Sequence, residues 1–256
     1  MPNTAQGSTQ KRSKFSQILA GVLVNSIYEM KNYPVVLINT VLAPFSFLFL
    51  IVLVSRGSLI GPAVQGAFIM TVFQSGMSIQ TDLAHLKNDF KLQDMVVSSP
   101  TSWVTYMFGI ALAEIVYSLP ALIVLSVLAY FFLTLSLAGI LQFVAVLGLM
   151  FLVSIAIGYT LSTFSSDIVQ SFAFSRLIST LFSTIPPVYY PITYIPLPFR
   201  YLAYFSPTTY VAEIAQNAAG FLQVPSWNII LDWIVLVVLA VTLFLVAKTK
   251  ARWREI

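Results

Sequence analysis

The longest uncharged run of the chain extends from Ile115 to Ser166 and reads IVYSLPALIVLSVLAYFFLTLSLAGILQFVAVLGLMFLVSIAIGYTLSTFSS. A helix needs about 20 apolar residues to cross the hydrocarbon core of a bilayer, and this run is too long for one such helix. The polar and glycine residues of Thr134-Leu-Ser-Leu-Ala-Gly139 divide it. We therefore predict two membrane-spanning helices here, near Val104–Leu133 and Ile140–Thr163.

Four further apolar runs predict four further spans, near Pro34–Val54, Ile60–Thr81, Ile168–Ile185 and Ile229–Ala247. The predicted fold class is all-α: a polytopic membrane protein with six transmembrane helices, forming a single permease-like domain over residues 1–256. The composition agrees, because hydrophobic residues make up 58% of the chain and charged residues 9%, whereas a soluble domain carries roughly 25% charged residues. A soluble enzyme, a nucleic-acid-binding domain and a disordered chain are thereby excluded.

The basic residues predict the orientation of these spans, since Lys and Arg concentrate on the cytoplasmic side of a membrane. Both termini are expected to be cytoplasmic, with residues 1–13 as a flexible tail and residues 248–256 as a basic tail. Eleven of the 13 basic residues then lie inside, namely Lys11, Arg12, Lys14, Lys31, Lys87, Lys91, Arg176, Lys248, Lys250, Arg252 and Arg254. Arg56 and Arg200 lie outside.

Residues 14–33 are predicted to form an amphipathic helix on the inner membrane surface. Leu19, Leu23, Ile27 and Met30 recur at helical spacing on one face, with polar residues on another. Pro34 then marks the bend into the first span. The alternative is a disordered tail followed by an early start of that span.

A second amphipathic helix is predicted in the cytoplasmic loop over residues 82–102. Leu83, Leu86, Phe90 and Val97 form an apolar ridge among charged residues, and Pro100 ends the pattern. Such a ridge binds either the membrane surface or a groove on a partner protein. The spacing leaves both open.

Residues 186–220 break the membrane pattern with repeated prolines, which prevent a continuous helix. Because irregular backbone at membrane depth must be buried in protein or reached by water, we predict a re-entrant segment on the outer side. Ser206 is expected to cap a short helix, with Pro207 at its first position and Gly220 beyond its end. The many aromatic residues here are typical of the lipid–water boundary.

Chemistry-bearing residues are few. The chain has no phosphate-binding G-x-x-x-x-G-K-[ST] loop, no cysteine and a single histidine, His85, so we predict no catalytic residue and no metal or cofactor site. Glu114 is identified as the clear ionisable group within a span. It is interpreted either as part of a translocation path or as an interhelical polar contact.

Taken together, these segments resemble the integral membrane permease subunit of type-2 ATP-binding-cassette exporters. Three motifs carry the resemblance: DFKLQDMVVSSP at Asp89–Pro100, PITYIP at Pro191–Pro196, and LAYFSPTTY at Leu202–Tyr210. The resemblance implies a transport pathway formed by two permease chains, as a homodimer or a heterodimer, in a prokaryotic cell membrane. It also implies separate cassette ATPase subunits that hold ATP and Mg²⁺, and the apolar walls favour a lipophilic drug, lipid or lipid-linked substrate.

The resemblance further implies roles for two sets of residues. The ATPase-coupling helix would comprise Leu83, Leu86, Lys87, Asp89, Phe90, Lys91 and Asp94. The outer gate would comprise Pro191, Tyr194, Pro196, Pro198, Pro207 and Tyr210. A gradient-driven secondary carrier or channel is the main alternative, with Glu114 as its candidate ion-binding group. A scaffold that recruits a partner is a further alternative, and a membrane enzyme lacks the necessary side chains.

Overall fold

The computed structural model describes residues 19, 22–32, 34–88, 103–165 and 167–250, and all regular structure in these ranges is helical. A π-helical segment, Leu23–Ile27, leads into the short helix α1. The α-helices are α1 (Tyr28–Asn32), α2 (Pro34–Val54), α3 (Ile60–Asn88), α4 (Trp103–Phe132), α5 (Leu137–Phe164), α6 (Ile168–Thr184), α7 (Arg200–Ala203), α8 (Pro207–Ala218) and α9 (Ser226–Lys250). A 3₁₀ turn at Ile192–Tyr194 precedes α7.

Helix α3 is the central element of the molecule, because α2, α4, α5, α6 and α8 all pack on it. Every side chain from Gly61 to Thr71 is buried. At the crossing with α5, Gly76 faces Ser154, and a Cβ added to Gly158 would lie 3.0 Å from the carbonyl oxygen of Gly76. The two backbones therefore touch, which only small residues allow between membrane helices.

The helices lie close to the segments predicted as spans, and the breaks between them have local causes. Arg56 and Gly57 adopt positive φ angles of 52° and 85° in the turn between α2 and α3. Leu133–Ser136 separates α4 from α5, and the Ser136 hydroxyl caps α5 by accepting from the Gly139 amide at 3.1 Å. The interruption predicted at residues 134–139 is thus confirmed, one turn wide.

Three helical stretches are long and apolar enough to cross a membrane, as judged by length and composition: Phe108–Phe132, Leu137–Ser162 and Ser226–Ala247. Most of their outward side chains are apolar, as Val127 on α4 and Val238 on α9 illustrate, both about half exposed. Apolar side chains on the outside of a bundle are expected where lipid is the solvent. The count of six spans stays a prediction.

Helix α3 differs from its predicted form at its carboxyl end. A span ending at Thr81 and a separate amphipathic helix from Asp82 were predicted, but α3 continues without a break to Asn88. Charged side chains end the membrane-buried part of a helix without ending the helix itself, since Lys, Asp and His are all compatible with helical backbone. The remainder of the predicted loop, 89–102, lies outside the described residues.

The amino-terminal segment is described from Val22 onward, together with residue 19. Leu19, Leu23 and Ile27, which were predicted to share an apolar face, are exposed. The segment Leu23–Ile27 packs on α4. Within it Ser26 is buried, and its hydroxyl donates to the Val22 carbonyl at 2.6 Å. Residues 14–18, 20, 21 and 33 of the predicted interfacial helix lie outside the described residues.

Arg176 lies within a helix that the sequence predicts. It was counted among the cytoplasmic basic residues although the predicted span Ile168–Ile185 contains it. The structure has it as the ninth residue of α6, Ile168–Thr184, halfway along the helix. A rise of about 1.5 Å per residue puts it roughly 12 Å from either helix end. The cytoplasmic position of Arg176 and the span at Ile168–Ile185 are therefore two predictions that do not agree with each other.

Candidate functional site

The proline-rich segment 186–220 contains a short helix, α8, with the ends that the sequence predicts. The Ser206 side chain accepts from the Thr208 amide at 3.4 Å, and Pro207 is the first helical residue. Gly220, with a φ of 76°, follows the last turn. The Ser, Pro and Gly signals at these positions are confirmed.

Buried amide side chains hold α8 in place. The Gln65 Nε2 of α3 donates to the Ala215 carbonyl at 2.9 Å. The Gln216 Nε2 donates to the Tyr190 carbonyl at 3.3 Å, in the irregular segment before α7. The hydroxyl of Thr208 donates to the Phe182 carbonyl of α6 at 3.2 Å. Helix α8 is thereby joined to the central helix, to the proline-rich segment and to α6.

Two carboxyl groups meet where α8 packs on α9. Glu213 and Asp232 are each only 5% exposed, and the two carboxyl groups influence each other's proton affinity. The Tyr204 hydroxyl donates to Glu213 Oε1 at 2.8 Å. The Oδ2 atom of Asp232 is buried without a hydrogen-bond partner among the described residues. Two neighbouring buried carboxyl groups repel each other when both are ionised, so their surroundings favour a proton on one of them.

The environment of Glu213 favours its protonated form. Burial raises the pKa of the Glu213 carboxyl above its ordinary value of 4.5, against the opposing effects of the hydrogen bonds to Tyr204 and Asp232 and of the Arg200 charge. Burial, followed by the hydrogen bond to Glu213, also raises the pKa of the Tyr204 hydroxyl. The proton of the pair is therefore retained at pH values where a solvated glutamate is ionised.

The sequence analysis missed this pair. Asp232 lies inside the apolar run predicted as the last span, so identifying Glu114 as the clear ionisable group within a span was wrong. A count of every charge within each predicted span would have found Asp232. Glu213 could not be found in this way, because only the packing of α8 against α9 brings the two residues together.

The predicted outer-gate residues are near one another in the chain but differ in environment. Pro191 and Pro207 are buried, Tyr194, Pro196 and Pro198 are exposed, and Tyr210 is half-buried. The Tyr210 hydroxyl donates to the Tyr204 carbonyl at 2.8 Å. The guanidinium of Arg200 donates to the Ile195 carbonyl at 3.1 Å and to the Thr193 carbonyl at 3.3 Å, which fixes the turn around Tyr194.

An apolar cavity of about 580 Å³ lies beside these residues. Of the predicted gate residues, Tyr194 and Pro196 contribute to its wall. The full lining consists of Leu59, Ile185, Tyr190, Tyr194, Ile195, Pro196, Phe199 and Leu202. A cavity of this size and lining suits an apolar molecule or the apolar part of an amphiphile.

The predicted coupling residues fall at the far end of α3 and beyond it. Leu83 is half-buried and packs with Ile79 and Phe244 among others. Leu86 and Lys87 belong to the last turn of α3. The other four, Asp89, Phe90, Lys91 and Asp94, lie outside the described residues, as do the motif's Ser-Pro residues. Glu114 is half-buried in α4.

Helix α6 packs on α3 through a matched pair of contacts. The Gln80 Nε2 donates to the Ser171 carbonyl at 3.0 Å, and the Ser171 hydroxyl donates to the Gln80 carbonyl at 3.2 Å. Near the other end of α6, the rings of Phe73 and Phe182 lie 5.7 Å apart. These contacts show that the two helices run antiparallel and fix their register.

Comparison with known proteins places the chain in a family. A family model described as ABC-2 type transporter matches residues 15–219, from the amino-terminal segment to the end of α8. A comparison with curated proteins gives no match. The matched range includes α2 to α8 and takes in most of the chain, and the apolar helices agree with it. The chain therefore belongs to the ABC-2 type transporter family, and it is a multi-pass membrane permease whose family implies an ATP-binding cassette partner.

Proposed function

We propose that the chain is the membrane subunit of an ATP-driven exporter. Two permease chains would form the translocation pathway, and a separate cassette ATPase would bind ATP and Mg²⁺ and hydrolyse ATP. The family match over residues 15–219 carries this proposal. The permease itself contributes the membrane path, the contact with the ATPase and the gate.

The ATPase contact is assigned to the cytoplasmic end of α3 and the residues that follow it. This set is Leu83, Leu86, Lys87, Asp89, Phe90, Lys91 and Asp94. Support comes from the position of α3, which packs on five other helices and reaches Asn88 without a break. Because α3 is one continuous helix, a displacement at its cytoplasmic end would also move Gln65, which is hydrogen-bonded to Ala215 of α8.

The outer gate is assigned to the segment that contains Pro191, Tyr194, Pro196, Pro198, Pro207 and Tyr210. The apolar cavity beside Tyr194 and Pro196 supports a lipophilic substrate, since its lining consists of aliphatic and aromatic side chains and proline. The outer gate would open and close in alternation with ATP binding and hydrolysis on the other side of the membrane.

The first test is extraction of the tagged chain in a mild detergent and identification of the proteins that co-purify. A cassette ATPase in near-equal amount is expected. The double variant Asp89→Ala, Phe90→Ala should lose it, whereas Trp227→Ala, at the exposed start of α9, should keep it. Substrate-stimulated ATPase activity at the normal level in the double variant would show that the coupling assignment is wrong.

A gradient-driven carrier is the second candidate. The observation that favours it is the buried Glu213–Asp232 pair, because a proton-coupled carrier uses buried carboxyl groups to bind and release protons. Glu114 is the other candidate group. Transport in vesicles depleted of ATP but given a pH gradient distinguishes the two. Continued transport supports the carrier, and loss of transport supports the ATP-driven exporter.

A further inference from the structure

One exposed face of α6 carries an arginine and two threonines and is turned away from the helix that α6 packs on. Ala173, Arg176, Thr180 and Thr184 follow one another at steps of three and four residues, and all are exposed. We call these four residues the α6 stripe. The opposite face packs on α3 through Ser171 and Phe182.

The polar groups of the α6 stripe have no hydrogen-bond partner among the described residues. Elsewhere on the bundle, exposed hydroxyls donate to a backbone carbonyl of their own helix. Ser126 donates to the Leu122 carbonyl at 2.7 Å, and Thr242 donates to the Val238 carbonyl at 2.8 Å. No such bond is made by the Thr180 or Thr184 side chain, and no ion pair or hydrogen bond joins Arg176 to another described residue.

A guanidinium halfway along a membrane-spanning helix, without an ion pair, is costly to place in hydrocarbon. Such a group is tolerated where it reaches water or binds an anion. An arginine fork matches the oxygens of a phosphate or carboxylate, so the group best suited to pair with Arg176 is an anionic one.

The surroundings of the α6 stripe indicate where that anion comes from. Val169, Leu177 and Leu181 beside it on α6 are exposed and apolar. The antiparallel register places the exposed Gln74 of α3 at the level of this region. At the end of the stripe, Ile185 belongs to the lining of the apolar cavity. A charged centre with apolar flanks and an apolar cavity at its end matches an amphiphile rather than a small soluble anion.

We propose that the α6 stripe lies on the translocation path and binds the anionic headgroup of a membrane lipid, with Arg176 as the charge that selects it. Thr180 and Thr184 supply further hydrogen bonds along the route toward the outer cavity. This inference rests on the proposed exporter function, and it narrows the substrate from lipophilic molecules in general to anionic lipids.

Binding is tested on the purified permease in nanodiscs that contain phosphatidylcholine with a small fraction of phosphatidylglycerol. Native mass spectrometry should find phosphatidylglycerol retained on the wild-type chain. Loss of a hydrogen-bonded charge pair should weaken this retention about tenfold in Arg176→Gln, whereas Arg176→Lys should keep most of it. The exposed Arg56→Gln is the matched control and should behave as wild type. Equal retention in Arg176→Gln and wild type would overturn the proposal.

A competition experiment separates the lipid from a soluble anion. Glycerol phosphate, which carries the headgroup chemistry without acyl chains, should leave retention of phosphatidylglycerol unchanged at millimolar concentration. Displacement by glycerol phosphate would overturn the assignment to a lipid.

Accessibility gives a measurement that does not depend on binding. The chain has no cysteine, so single-cysteine variants need no background removal. An anionic, membrane-impermeant thiol reagent should modify Thr180→Cys and should leave Val238→Cys on the lipid-facing side of α9 unmodified. The positive charge of Arg176 should attract an anionic reagent to the thiol at position 180 and repel a cationic one. In the double variant Thr180→Cys, Arg176→Gln, the modification rate with the anionic reagent should therefore fall about tenfold relative to the rate with a cationic reagent. Equal modification of the two cysteine positions would contradict a path along α6.

The experiments distinguish a failure of the exporter assignment from a failure of the lipid inference. If the cassette ATPase co-purifies but Arg176→Gln retains phosphatidylglycerol, the exporter assignment stands and the lipid inference is wrong. If no ATPase co-purifies, the exporter assignment is wrong, whatever the binding result.

Discussion

At the scale of single residues, burying Glu213 and Asp232 side by side requires one proton between them, since two ionised carboxylates in contact would repel each other strongly. Tyr204 donates to the pair, Tyr210 lies against Tyr204, and Arg200 is the nearby positive charge. The junction of α8 with α9 therefore depends on protonation.

The raised pKa of Glu213 makes stability depend on pH. In the unfolded chain this group titrates at about its ordinary value of 4.5, and in the folded chain at a higher value. Between these values the folded state binds more protons, so the stability that is fully present below pH 4.5 is lost as the pH rises through the folded pKa. Thermal unfolding in detergent across a pH series should show this decline, and Glu213→Gln should flatten it. An unchanged slope in Glu213→Gln would contradict the assignment.

Gly66 is a position where the packing of α3 leaves no room for a side chain. A Cβ at this position would lie 2.6 Å from the Val188 carbonyl oxygen and 2.8 Å from the Tyr189 Cα, both backbone atoms that cannot turn aside. We expect Gly66→Ala to destabilise the protein by about 1–3 kcal/mol by forcing α3 away from the proline-rich segment. The melting temperature of the protein in detergent measures this loss of stability.

The matched control is Gly148→Ala on α5, where nothing lies within 4 Å of the added Cβ. Alanine favours helix over glycine by up to about 1 kcal/mol, so this variant should be neutral or more stable. Equal losses in the two variants would mean that helix packing at Gly66 is not the cause.

At the scale of elements, side-chain caps stabilise the starts of α5, α6 and α8. Ser136 is exposed, and its hydroxyl accepts from the Gly139 amide at the start of α5. Ser136→Ala should therefore cost about 1 kcal/mol, and Ser136→Asp should preserve the cap. The same melting measurement compares them, and a loss in Ser136→Asp as large as in Ser136→Ala would show that the cap is not what the substitution removes.

The sequence predicted the helices better than the contacts between them. Apolar length and local signals such as Ser206, Pro207 and Gly220 are properties of short segments, and α2 begins and ends at the predicted Pro34 and Val54. The Gln65–Ala215 bond joins residues 150 positions apart, and no local pattern indicates it. Arg176 shows the limit of counting charges outside the spans, because it was counted as cytoplasmic although the predicted span Ile168–Ile185 contains it.

At the scale of the whole molecule, the predicted topology puts both termini inside and the α2–α3 turn outside. The cysteine-free chain allows a direct test in intact cells. A membrane-impermeant maleimide should label Ser58→Cys, in the exposed turn, without permeabilisation. Thr249→Cys, exposed near the end of α9, should be labelled only after permeabilisation. Labelling of both positions in intact cells would contradict the predicted orientation.

The close crossing of α3 and α5 has a consequence for measuring motion. Because their backbones touch at Gly76 and Gly158, these two helices cannot separate without opening a void or approach without a clash. A pair of spin labels with one on each helix should therefore give the same spacing in every state of the transport cycle. That constant spacing would serve as an internal standard, against which a changing spacing between α3 and α6 or α9 would report the step that moves substrate.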